Sequence, residues 1–164
     1  MSWSRRALLA ASASLAACGF SPLYAPDAPA SRMAGKVEVG LVEGAPGFAL
    51  RERLTGQLGP AAAPTHRLDV DLELTRTGVA LTQQNVTTRF DVVGRASYRL
   101  TPIAGGPPVA SGVARSITGY SAPESPGASA FAARAALDDA ERRLAITLAD
   151  EILQRLALSA ASWT

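Results

Sequence analysis

Between His66 and Thr101 the chain alternates apolar and polar residues for two long stretches. Leu68, Val70, Leu72 and Leu74 alternate with Asp69, Asp71, Glu73 and Thr75. A period of two marks a strand with one buried face. In the next stretch Val86, Thr88, Phe90, Val92, Gly94, Ala96, Tyr98 and Leu100 share one face, and Thr87, Arg89, Asp91, Val93, Arg95, Ser97 and Arg99 share the other. Gln83-Gln84-Asn85 lies between them, so the segment reads as a long antiparallel hairpin. Within the first strand the apolar set shifts to Val79 and Leu81. A one-residue slip would turn every later side chain to the wrong face, and a bulge near Thr77-Gly78 repairs it. The resulting register sets Asp69 opposite Arg99 and Glu73 opposite Arg95. Such pairs contribute about 0.2–1 kcal/mol each and neutralise the obvious cationic stripe. Arg76 and Arg89, nearer the tip, are the less obviously paired cations.

The other elements follow from their own periods. Val37, Val39 and Leu41 alternate with Glu38 and Gly40, which predicts a short strand. Leu50, Leu54 and Leu58 recur every four residues before Gly59-Pro60, which predicts an amphipathic helix. A strand is expected from Val109 to Tyr120 after the Gly105-Gly106-Pro107-Pro108 turn. Ser125-Pro126 or Ser129 then opens a last helix reaching about Leu158. Its apolar stripe is Leu137, Ala140, Leu144, Leu148, Ile152 and Leu156, widened by Ile146, Ala149 and Leu153 as expected for a helix lying on a sheet. The expected fold is α+β: a two-layer sandwich with a four-stranded sheet, built around the hairpin, and two helices on one face. It occupies residues 36–158, and residues 159–164 form a tail.

The amino terminus has the anatomy of an export signal over residues 1–17. Arg5 and Arg6 precede an apolar run from Ala7 to Ala17, too short to remain as a membrane span. The run ends in Leu15-Ala16-Ala17-Cys18, a lipobox-like tetrapeptide whose cysteine is expected to carry lipid after cleavage. Two or three acyl chains hold a protein on a membrane where one binds reversibly. Cleavage removes two of the 16 basic residues against 14 acidic ones, so the mature chain is formally neutral. The basic balance of the full chain is therefore no argument for nucleic-acid binding, and none is expected. Residues 18–35, with Pro22, Pro26 and Pro29, read as an extended tether in which Phe20, Leu23 and Tyr24 stand out as apolar exceptions.

Chemistry finds little support. With one Cys and one His, a multi-cysteine zinc site, a CxxC pair and a disulfide framework are excluded. His66 lacks a nucleophile pattern, and Asp138-Asp139-Glu141 suits the solvated face of a helix. The glycines lack phosphate-cradle spacing. No catalytic residue, metal site or cofactor is expected beyond the covalent lipid on Cys18.

The segment Cys18-Gly19-Phe20-Ser21-Pro22-Leu23-Tyr24, together with Leu148-Ala149-Asp150-Glu151-Ile152-Leu153-Gln154-Arg155-Leu156, resembles the lipopolysaccharide-assembly lipoproteins of the LptE family, in their alphaproteobacterial form. The resemblance implies a periplasm-facing outer-membrane lipoprotein. Such a protein plugs and helps assemble the β-barrel LptD and serves lipopolysaccharide transport to the outer leaflet. It also implies contact with lipopolysaccharide or barrel near the hairpin tip, here Thr82, Gln83, Gln84 and Asn85. Basic residues usual near that tip leave Arg76 and Arg89 as the carried candidates. Gly19 after the cysteine, rather than Asp, is similar to the outer-membrane class. The competing reading is a periplasmic accessory lipoprotein of a phospholipid-trafficking ABC system.

Overall fold

The computed structural model describes residues 29–81, 87–122 and 129–163. The expected signal segment, Cys18 with Phe20, Leu23 and Tyr24, the expected turn at Thr82-Gln83-Gln84-Asn85 and the expected Ser125-Pro126 helix start lie outside these residues. The order is β1 (Val37–Val39), α1 (Gly44–Leu58), β2 (His66–Leu81), β3 (Thr87–Pro102), β4 (Ala110–Ser121) and α2 (Ser129–Ser159). The four strands form one sheet in chain order, with β1 parallel to β2 and the rest antiparallel. The α+β class and the two-helix layer are as expected.

The hairpin register is the one that the alternation predicts, with Asp69 opposite Arg99 and Glu73 opposite Arg95. The irregularity falls between Gly78 and Leu81, so Val79 is skipped in the pairing, slightly later than Thr77-Gly78. Even-numbered residues of β3 face the helices. Val92, Ala96, Tyr98 and Leu100 are buried there, and a Cβ on Gly94 would lie 2.8 Å from Leu148 Cδ1 and 3.0 Å from Leu144 Cδ2. Gly94 is therefore a packing residue: its missing side chain lets α2 lie directly on β3. Leu144, Leu148, Ile152 and Leu156 of α2 and Leu50, Leu54 and Leu58 of α1 complete the core.

Three boundaries differ from expectation. β1 stops at Val39, and Leu41 is 87% exposed, because the chain leaves the sheet after Gly40 to enter α1 at Gly44. Residues 29–35, expected within the tether, form a 3₁₀ turn (Pro29–Met33) with Met33 buried, and the Gly35 N–H donates to Leu58 O. After α2 a second 3₁₀ turn (Ala160–Ser162) carries Trp163 back over the start of β2. No helix among the described residues is long and apolar enough to cross a membrane.

Candidate functional site

The two candidate arginines sit on opposite faces of the sheet. Arg76 precedes the bulge and shares the helix-side face with Val92, its partner in the register. Its guanidinium carbon lies 5.1 Å from the centre of the Phe90 ring, and Nη1 donates to the Tyr120 hydroxyl at 3.4 Å. Phe90 and Tyr120 are register partners on β3 and β4, and their rings stack at 5.3 Å. Arg76 is thus engaged by an aromatic pair, an arrangement that contributes about 0.5–1 kcal/mol at an exposed site. Arg89 is exposed on the outer face, where its Nη2 lies 3.8 Å from the position a Cβ on Gly119 would take. The geometry does not bring the two into one pocket. In the sequence the aromatic pair shows only as in-phase positions on adjacent strands, a signal that the strand register turns into a contact.

The outer face is polar with an apolar centre. Asp69, Asp71 and Glu73 line β2, whereas Arg89, Arg95, Arg99 and Arg115 line β3 and β4. Val93 and Ile117, register partners, are 42% and 61% exposed between them. The expected neutralisation of the cationic stripe is absent among the described residues: neither Asp69–Arg99 nor Glu73–Arg95 closes to an ion pair. Asp69 instead takes the Arg67 Nε–H at 3.0 Å, two residues away on the same strand face. Arg95 has Arg115 as its neighbour on β4, a like charge. The register was right, and the long side chains chose otherwise.

The residues weighed for catalysis have structural partners. The His66 ring meets Trp163 edge-on at 5.1 Å, and its Nδ1 shares a hydrogen bond with Thr65 Oγ1 at 2.9 Å. Partial burial, with Lys36 nearby, holds the His66 pKa below its ordinary value. Asp138 and Asp139 pair with Arg134 and Arg143 at 2.9 and 2.8 Å along one exposed face of α2. Among the described residues no group of three metal-ligating side chains converges.

Comparison with known proteins agrees with this arrangement. A lipoprotein-described chain from Caulobacter crescentus superposes with a TM-score of 0.62 at 24% identity, covering 81% of this chain and 96% of that one. Rare lipoprotein B of Shewanella oneidensis superposes at 0.59 with 14% identity, covering 77% and 96%. Lipoprotein B of Nitrosomonas europaea does so at 0.52 with 15% identity, covering 77% and 84%. These likenesses establish the fold. No curated protein matches the sequence. Residues 34–156, which span every strand and nearly all of both helices, match the family LptE, lipopolysaccharide-assembly, and the chain belongs to that family.

Proposed function

We propose that this protein is a lipid-anchored, periplasm-facing outer-membrane lipoprotein that fills and helps assemble an LptD-like β-barrel through which lipopolysaccharide reaches the outer leaflet. The observation that carries the reading is the family match across residues 34–156. The dimensions are compatible with it. Strands of 16 residues reach about 53 Å, and the 31-residue α2 reaches about 46 Å, so the domain is a wedge longer than the ~30 Å hydrocarbon layer. A wide barrel needs a rigid object to occupy its lumen, and a sheet backed by two helices is rigid without bound metal or cofactor.

Cys18 carries the anchor, and the tether adds effective concentration at the barrel mouth, on the millimolar scale for short linkers. Thr82, Gln83, Gln84 and Asn85 lead into the lumen, with Arg76 on one face of the hairpin and Arg89 on the other as the polar contacts to barrel or lipopolysaccharide. A photoreactive residue at Gln84 in native membranes is expected to give an adduct with an outer-membrane barrel. Palmitate incorporation into the same chain is expected to vanish in Cys18→Ala. An adduct with an inner-membrane permease instead, or a soluble unlabelled wild-type chain, overturns the reading.

A further inference from the structure

The two edges of the sheet are treated differently. Along β4, α2 leans over the edge: Arg155, held by Glu151, donates from Nη1 to Val113 O at 2.7 Å, and Arg143 Nη1 reaches Thr118 Oγ1 at 3.3 Å. At the opposite edge β1 covers only His66, Arg67 and Leu68 of β2, and the last bond is Gly40 N–H to Leu68 O at 2.9 Å. β2 itself runs on to Leu81. Backbone direction along the strand is fixed by its start. His66 N–H and Leu68 O point to the β1 side, whereas Thr65 O accepts from Ile103 N–H on the β3 side. N–H and C=O of one strand residue point the same way, so Val70, Leu72, Leu74 and Arg76 aim theirs at the open edge. Among the described residues no strand pairs with β2 on this side beyond Leu68, and an unpaired edge of this length is a template for another strand.

The side chains along that edge state what kind of strand fits. On the helix side Leu72 and Leu74 are only half-buried, whereas where β1 stops Leu41 stands 87% exposed and lines a depression with the outer-face residues Asp69, Asp71, Ser97 and Arg99. On the outer side Asp71 and Glu73 are exposed and have no ion-pair partner among the described residues. We infer that the Val70–Arg76 edge of β2 binds an extended segment of another polypeptide, with basic residues on its outer face alternating with apolar residues on its helix-side face. A second copy of this chain fits poorly, because edge-to-edge pairing brings acidic stripes together, and like charges across strands repel. The amino-terminal tether fits poorly as well, since Pro22, Pro26 and Pro29 each lack the N–H that a ladder requires. The inference concerns this edge alone and stands whether or not the larger partner is a barrel.

The test uses the full mature chain and a synthetic, end-blocked peptide of alternating valine and lysine. Amide exchange at Val70, Leu72 and Leu74 is expected to slow by about tenfold or more on saturation, as hydrogen bonds form at the edge. Leu72→Pro removes an outward N–H without touching the β2–β3 ladder, so it is expected to weaken peptide binding by about tenfold with an unchanged circular dichroism spectrum, while Leu72→Ala retains most of it. Replacing Asp71 and Glu73 by lysine is expected to transfer the preference to a valine–glutamate peptide. Equal binding of both peptides by the wild type, protection elsewhere than at these amides, binding that survives Leu72→Pro, or concentration-dependent dimerisation that itself protects the edge would each overturn the inference.

Discussion

At the level of single residues, close backbone approaches decide more than any polar contact does. Gly47, in the first turns of α1, sits where a Cβ would lie 2.7 Å from Val42 O and 2.8 Å from Val42 C. Backbone atoms cannot swing aside as the end of a leucine can. Gly47→Ala is therefore expected to destabilise the fold by about 1–3 kcal/mol, through overpacking that exceeds any helix-propensity gain. Chemical denaturation of the variant checks it, and a gain in stability would contradict the close approach. Gly94 illustrates the same principle with softer neighbours. Its lack of phosphate-loop spacing was readable in the sequence, but its service as a seat for Leu144 and Leu148 was not. That role depends on which helix crosses which strand, and a one-dimensional pattern carries no such crossing.

Among the elements, the most regular patterns gave the most faithful reading. The hairpin register followed from alternation plus one required bulge, because a slip would have exposed an entire apolar face. The apolar stripe of α2 was likewise legible, and Leu144, Leu148, Ile152 and Leu156 are all buried. What failed were inferences from register to side-chain contact. Arg99 and Arg95 are flexible, exposed side chains for which small energies select among several partners, and exposed pairs contribute only about 0–1 kcal/mol. The end of β1 was misread for a different reason: Leu41 continues the alternation although the chain has already turned toward α1. Burial gives a sharp contrast to test on α2. Leu148→Ala is expected to cost about 2–5 kcal/mol by opening a cavity beneath Gly94, whereas Leu158→Ala, at a 70% exposed position, is expected to change stability by less than about 0.5 kcal/mol. Equal effects in urea titration would refute the placement of the stripe.

For the molecule as a whole, the carboxyl end of the domain is fastened to the start of β2 at His66. Trp163, arriving from the carboxyl end, packs against a ring at the entrance to β2, and its Nε1–H donates to Ser159 Oγ at 3.2 Å. The His66 pKa is lowered in the folded state, so the unfolded chain binds more protons in the range just below the ordinary imidazole value of ~6.5. Stability from this source is complete above that value and declines as pH falls through the unfolded and then the folded pKa. Replacing His66 by Gln is expected to flatten that part of the stability profile, as thermal melts between about pH 5 and 7 would read. An unchanged slope would show that the ring does not sense folding.

The parallel pairing of β1 with β2 also sets an order of assembly. β2, β3 and β4 follow one another as a meander of neighbours, whereas β1 and α1 reach their partners only across intervening chain, α1 resting on the last helix to be made. Synthesis delivers the amino-terminal third first. Leu50, Leu54 and Leu58 must therefore wait, oily and uncovered, until α2 emerges to shelter them. A newborn chain of this kind is expected to aggregate most readily in the interval between its first helix and its last.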